Sequence, residues 1–180
     1  MRSAGVLLPI SALPSPYGIG TLGREARNFV DFLAAGGQSC WQLLPIGPTG
    51  FGDSPYQSFS TFAGNPYYID LDDLAAHRLL SPEEYQTVSW GDDPATVDYA
   101  LLYQRRFSVL RLACHRLSGA GPELARFCAT QQDWLEDYAL FMALKGKFGG
   151  RPWQDWPEEL RLPHPAALKR AGQALEEEIS

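Results

Sequence analysis

A glycine-containing segment, residues 50–62, carries the side chains best suited to chemistry. It combines aromatic rings with uncharged or acidic hydrogen-bonding groups, and it contains neither Lys nor Arg. Sugars have apolar C–H faces and a rim of hydroxyls, so aromatic platforms and short polar side chains bind them. The composition therefore favours a neutral polyol over a phosphate as the ligand. The residues concerned are Phe51, Asp53, Ser54, Tyr56, Gln57, Ser58, Phe59, Ser60 and Phe62.

These residues also have a purely structural interpretation. The aromatic rings can simply pack the segment onto the rest of the domain. Asp53 follows Gly52 and can form an Asx-type turn. Tyr56 lies between Pro55 and Gln57, and we expect it to be the best exposed platform.

The elements that position this segment read as a β-α-β unit. Residues 5–10 and 40–45 are short apolar runs, typical of strands buried on both faces of a parallel sheet. Between them, an apolar stripe at helical spacing predicts a helix that ends at Gly36 and Gly37; its members are Ala26, Phe29, Val30 and Leu33. In a parallel barrel the loops that follow the strands carry the site, and here these loops are residues 11–20 and 46–65.

The remainder of the chain is mostly helical in pattern. Residues 66–71 suggest a short extended segment, and the cluster of Asp70, Asp72 and Asp73 suggests a helix entry. Ser81 and Pro82 predict a helix start. Further helices are predicted over 101–116, 123–128, 133–147 and 165–179. The sequence therefore predicts two parts, a β-α-β portion with its loop over 1–73 and a mostly helical subdomain over 74–180.

Several classes of function are disfavoured by composition and motif. The net charge of −6 argues against nucleic acid as a partner, and no apolar run is long enough for a membrane helix. The glycines at 18, 20 and 23 spell a dinucleotide fingerprint, but they start too far from the strand and no acid ends the second strand. The His residues have no metal-binding spacing. Three widely spaced cysteines predict buried reduced thiols, which favours a cytoplasmic protein.

Several segments, in the same order along the chain, resemble those of one family, the amylomaltases or bacterial 4-α-glucanotransferases of glycoside hydrolase family 77. The most specific segment is Trp41-Gln-Leu-Leu-Pro-Ile-Gly-Pro-Thr-Gly50 with Gly52-Asp-Ser-Pro-Tyr-Gln-Ser-Phe-Ser60. The others are residues 5–10, 13–23, 63–67, 69–71, 98–99, 134–141 and 153–156.

This resemblance implies an α/β fold, the N-terminal part of a (β/α)8 TIM barrel with a mostly helical insertion. It implies transfer of α-1,4-glucan segments to a sugar 4-hydroxyl by retaining double displacement, without cofactor or metal. Asp53, Ser54 and Tyr56 would form a donor-site wall, with Gln57 a weaker candidate. Phe51 and Tyr103 would form an outer sugar platform. Some relatives have Tyr where this chain has Phe51, so stacking would remain but a phenol hydrogen bond would not.

The family's nucleophilic Asp and its acid/base Glu lie on later strands. We therefore expect no catalytic residue in this chain, which reads as a fragment that is inactive alone and binds maltooligosaccharides or starch-type glucans. One alternative is a stand-alone glucan-binding module without catalysis. Another is a different barrel glycosidase, such as an α-amylase relative.

Overall fold

The computed structural model describes residues 3–50, 52–117, 121–162 and 164–179. The chain forms two compact units, residues 1–119 and 120–180. The predicted division into residues 1–73 and 74–180 stays a prediction, because compact units do not show how the chain is divided between a barrel and an insertion. Whether residues 74–180 form an insertion in a barrel stays a prediction.

The predicted β-α-β unit is present. Strand β1 (Gly5–Leu7) pairs in parallel with β2 (Cys40–Gln42), and Gly5 lies opposite Cys40. Both strands are shorter than predicted, and the prediction that they are buried on both faces is wrong, since every residue of β1 is exposed. A parallel strand is buried only when further strands and helices flank it, and two strands cannot supply that cover.

Helix α1 (Arg24–Ala35) lies between the strands as predicted. Of its apolar stripe, Ala26 and Leu33 are buried, whereas Val30 is exposed. Phe29 packs edge-on against Trp41, with ring centroids 4.9 Å apart. The Trp41 indole N–H also donates to the Leu8 carbonyl at 2.8 Å. Trp41 therefore joins β2 to α1 and to the end of β1.

The segment predicted to be extended, residues 66–71, is not a strand. Its first half is a 3-10 turn, Pro66–Tyr68, whose cap is the Asn65 side chain accepting from the Tyr67 N–H. Its end is the start of α2 (Leu71–Ala76), where the Asp70 side chain accepts from the Asp73 N–H. The helix-entry interpretation of the Asp cluster is thus confirmed. The extended reading was wrong because two Asx-type caps in succession favour turns.

Two more helices complete the first unit. Helix α3 (Pro82–Gln86) begins with the predicted Ser81 cap, and α4 (Tyr99–Arg116) begins at an Asp98 cap. One face of α4 packs into the main core, which contains Ile10, Leu13, Tyr17, Ile19, Tyr67, Tyr68, Leu71, Leu80, Tyr85, Trp90, Leu102, Val109 and Ala113.

The second unit is helical, as the pattern predicts. Its helices are α5 (Pro122–Thr130), α6 (Gln132–Lys147), α7 (Glu158–Arg161), α8 (Pro165–Ala174) and α9 (Glu176–Ile179). The predicted helix over 165–179 is therefore interrupted at Leu175. The small core of this unit is built around Leu144, Trp156 and Leu175.

Two features bear on the setting of the protein. In the part of the chain that the structure describes, no helix has both the length and the apolar character needed to cross a membrane. Cys40, Cys114 and Cys128 are free thiols, but all three are exposed. The prediction that they are buried is wrong, because Cys40 lies on the uncovered sheet and the other two lie on outer helix faces.

Candidate functional site

The loop that follows β2 is closed at its base by backbone contacts. The Asn65 N–H donates to the Ile46 carbonyl at 2.8 Å, and Thr49 forms an isolated antiparallel bridge with Ser58. Gly47 allows the close approach of the two arms, since a Cβ there would lie 2.5 Å from the Ser58 Oγ. These contacts join the two arms of the loop at residues 46–49 and 58–65, a braced base from which the tip, residues 50–57, extends.

The tip of this loop is a pair of tight turns. The Asp53 N–H donates to the Gly50 carbonyl at 3.1 Å, and the Gln57 N–H donates to the Ser54 carbonyl at 3.2 Å. Asp53 has φ 54, in the left-handed region, which Asp tolerates better than most residues. The backbone of Asp53 thus forms a turn, whereas the Asx-type turn considered for its side chain stays a prediction. Because the turn is formed by backbone hydrogen bonds, the Asp53 carboxylate remains available to bind a ligand.

The predicted site residues differ in exposure. Tyr56 presents 72% of its surface to solvent, and Gln57 is also exposed. Asp53 and Ser54 are half-buried, and burial raises the pKa of the Asp53 carboxyl above its usual range. Phe51 lies outside the described residues. The described tip therefore offers one open ring next to polar groups that are partly withdrawn from solvent.

A cluster of aromatic side chains lies within electrostatic reach of Asp53. Burial, followed by the Asp53 charge, raises the pKa of Tyr67 to about 12. The pKa of Tyr99 is also raised, mainly by burial and in smaller part by Tyr68 and Asp53. Tyr67 and Tyr99 have ring centroids 6.2 Å apart. The charge of Asp53 therefore acts on two phenols, the buried Tyr67 and the half-buried Tyr99 on α4.

Tyr103 extends this cluster to the surface. Its ring meets Phe107 edge-on at 5.8 Å, and Phe107 in turn lies 5.6 Å from Tyr67. Tyr103 is 64% exposed, so most of its ring is open to a ligand. The structure thus places Tyr103 in the same aromatic cluster as Tyr67, whose pKa the Asp53 charge raises, although Tyr103 and Asp53 are far apart in sequence.

The buried residues that support this surface, above all Arg106, are not predicted from the sequence. A signal was present, since the buried residues of α4, Leu102, Arg106, Val109 and Ala113, form one helical stripe in which Arg106 interrupts an apolar series. A charge inside a buried stripe must find partners. The sequence alone does not tell which carbonyls supply them.

The first loop, residues 11–20, is fixed by the core rather than open. Tyr17 and Ile19 are buried, and a Cβ on Gly20 would lie 2.0 Å from the Ile10 carbonyl oxygen. This loop borders a cavity of about 440 Å³ whose other wall is residues 90–97. A second cavity of about 480 Å³ lies between residues 64–70 and α2.

None of the described predicted site residues lines either cavity. Of the candidate residues, Tyr56, Gln57 and Tyr103 are exposed, and Asp53 and Ser54 are half-buried. An open surface suits a chain-like ligand better than a small molecule that must be enclosed. Among the described residues, no three His, Cys, Asp or Glu side chains are grouped so that they could hold a metal ion.

Comparison with known proteins decides the family. Residues 8–180 match the 4-alpha-glucanotransferase family. The chain belongs to this family. Among relatives, the 4-alpha-glucanotransferase of Thermus thermophilus is 50% identical over 99% of this chain, and that of Clostridium butyricum is 44% identical over 95%. The chain spans 36% and 35% of the lengths of these two 4-alpha-glucanotransferases.

A solved member of the family has the same fold over the matched region. The amylomaltase from Streptococcus agalactiae, solved in complex with acarbose, has a TM-score of 0.93 and 42% sequence identity. The match covers 99% of this chain and 37% of that amylomaltase. The predicted resemblance to the amylomaltases is thereby confirmed.

Proposed function

We propose that the protein is a 4-α-glucanotransferase and that this chain supplies part of its glucan-binding surface. The observation that carries the proposal is the exposed Tyr56 ring on a braced loop tip, beside Asp53 and without a cation from residue 28 to residue 77. An aromatic face stacks on the apolar face of a glucose ring, and the neighbouring carboxylate and amide accept and donate hydrogen bonds to its hydroxyls.

Each predicted site residue has a role in this proposal. Tyr56 stacks on one glucose unit, and Asp53, Ser54 and Gln57 bind hydroxyls of the same unit or the next. Tyr103 provides an outer platform, together with Phe51, for glucose units further along the chain. That a solved amylomaltase of the same fold is in complex with acarbose supports a saccharide-type ligand for the whole protein.

The proposed reaction is a retaining double displacement. One carboxylate attacks the anomeric carbon and forms a covalent glycosyl intermediate, while an acid gives its proton to the departing 4-oxygen; the acceptor's 4-hydroxyl then reverses these steps. The two carboxyl groups must lie about 5–5.5 Å apart. Neither carboxyl group is assigned to a residue of this chain, whose proposed role is to bind and orient glucan, and no cofactor is required.

The proposed setting is a (β/α)8 barrel in which β1, α1 and β2 open the sheet and residues 74–180 form a helical insertion. The exposed faces of β1 and β2 support it, since neighbouring strands in a closed parallel sheet would cover them. Free thiols at all three cysteines support a cytoplasmic location.

The test is the product pattern of the protein expressed from its complete open reading frame. Incubation with maltotriose should give glucose and longer maltooligosaccharides in matching amounts, because each transfer lengthens an acceptor. Free reducing ends should not increase. A steady increase in reducing ends would indicate hydrolysis and contradict the proposal. Saturable binding of maltoheptaose without any transfer would favour the glucan-binding module instead.

A further inference from the structure

Among the described charged residues of the first unit, Arg106 is the most buried. Its side chain is fully enclosed, at 0% exposure. One guanidinium nitrogen, Nη2, donates to the Ile69 carbonyl at 2.6 Å, and Nη1 donates to the Tyr17 carbonyl at 3.2 Å. Its Cζ lies 5.7 Å from the centre of the Trp90 ring. Three separate segments of the unit therefore converge on one cation.

This burial is costly and only partly compensated. Desolvation lowers the pKa of Arg106 to about 10. Among the described residues, its Nε has no hydrogen-bond partner. No carboxylate forms a direct ion pair with it among the described side chains, so its stabilisation comes from the two carbonyls, the Trp90 ring and the more distant charge of Asp70. An apolar residue at this position of the α4 stripe would avoid the desolvation cost, which suggests that the charge serves a geometric purpose.

The hydrogen bonds of Arg106 show which segments its guanidinium group connects. Ile69 directly follows the 3-10 turn that Asn65 caps, and Asn65 closes the base of the loop that carries Tyr56. On the helix side, Tyr103 lies three residues before Arg106, next to it along α4 but on the exposed side of the buried stripe. The bond from Arg106 to the Ile69 carbonyl therefore ties α4, which carries Tyr103, to the backbone that follows the base of the loop.

We infer that Arg106 is a positioning residue for glucan binding, which holds Tyr103 at the distance from the Tyr56 loop that a bound glucan chain requires. This inference rests on the proposed function and adds to it a residue that does not touch the ligand. Because Tyr103 is an outer platform, its placement matters for glucans long enough to reach it and not for short ones.

The experiment measures KM and kcat for maltotriose and maltoheptaose with the complete protein. Arg106→Met keeps an unbranched apolar side chain but is shorter than Arg and loses the donors. It should raise the KM for maltoheptaose by about fivefold relative to that for maltotriose, with kcat little changed. Tyr103→Ala should give a similar rise, and the double variant should be no worse than the worse single variant, because both changes remove the same contact. Arg106→Lys, which keeps a charge and one donor direction, should lie between Met and wild type.

Arg105→Met is the matched control, since Arg105 is the neighbouring residue on α4 and bonds the Ser89 carbonyl instead. It should leave the ratio of the two KM values unchanged. A wild-type protein without transfer activity would overturn the proposed function and this inference with it. This inference alone would be overturned if the wild type is active and Arg106→Met lowers the turnover of both substrates alike. It would also be overturned if the effects of Arg106→Met and Tyr103→Ala on the ratio of the KM values multiply in the double variant. Failure of both Arg106→Met and Arg106→Lys to fold would overturn it too, because Arg106 would then hold the fold rather than the platform.

Discussion

The hydroxyl of Tyr17 donates a 2.7 Å hydrogen bond to Oδ1 of Asp72. This bond connects the loop after β1 to the first turn of α2, 55 residues later in the chain. The Tyr85 hydroxyl donates to the same oxygen at 2.8 Å. One carboxylate oxygen therefore holds together the first loop, α2 and α3.

Tyr17→Phe should destabilise the protein by about 1 kcal/mol, because the change removes one hydrogen bond to a charged, partly exposed acceptor. Urea denaturation monitored by fluorescence measures this loss. Tyr56→Phe is the matched control, since the Tyr56 side chain is 72% exposed, and it should change stability by less than about 0.5 kcal/mol. Equal losses for both variants would show that the Asp72 contact is not stabilising.

Tyr56 should matter for binding rather than for stability. Tyr56→Ala removes the proposed stacking platform and should lower kcat/KM for maltotriose by about 10- to 100-fold, which corresponds to about 1.4–2.8 kcal/mol of lost binding. Tyr56→Phe keeps the ring and should retain most of the activity. Steady-state kinetics on the complete protein, with melting temperatures as a control, checks this. Unchanged kinetics for Tyr56→Ala would argue against the stacking role.

The contact between Glu84 and Arg116 predicts a pH dependence. Hydrogen bonds from Arg116, followed by one from the Ser81 N–H, lower the pKa of Glu84 to about 2. A lowered folded pKa means that the contribution to stability is fully present above the unfolded value, about 4.3, and is lost as pH falls from there through about 2. Arg116→Met should therefore flatten the fall in stability over this range.

The measurement is the melting temperature of wild type and Arg116→Met between pH 5 and the lowest pH at which the protein stays folded. Arg105→Met is a suitable control, because Arg105 bonds the Ser89 carbonyl and not Glu84. Parallel melting curves for wild type and Arg116→Met across the range would contradict the prediction.

Trp156 should be the most sensitive position of the second unit. Its ring is 7% exposed and packs between Phe141 and Phe148, with centroids at 5.5 and 5.4 Å. Trp156→Ala should cost this unit about 3–5 kcal/mol, because it opens a cavity in a small core. Trp153→Ala, at a residue that is 46% exposed, should cost about 1 kcal/mol or less.

Amide hydrogen exchange of residues in α6 and α8 measures the two Trp variants locally, without requiring that the whole protein unfold in one step. Similar exchange rates in the Trp156 and Trp153 variants would show that this core does not depend on the buried ring.

Local patterns in the sequence were sufficient for the helices and for the residue types of the loop. α1 lies where its apolar stripe predicts a helix, and α3 begins at the predicted Ser81 cap, since such signals act within a few residues of one another. The extended reading of 66–71 failed because the capping by Asn65 and Asp70 outweighed the aliphatic and aromatic composition. The exposure of β1, β2 and the cysteines was also predicted wrongly, because burial depends on which distant elements cover a residue.

The sequence by itself thus determined the family, the β-α-β start, and a cation-free loop of rings, hydroxyls and amides around Tyr56. Only the tertiary structure decided that Tyr103 joins the aromatic cluster of Tyr67 and Phe107. It also decided that Arg106 links α4 to the carbonyls of Ile69 and Tyr17, 37 and 89 residues away. The reason is physical: periodicity and capping are short-range, whereas the partner of a buried charge is set by whichever backbone the packed core brings within reach.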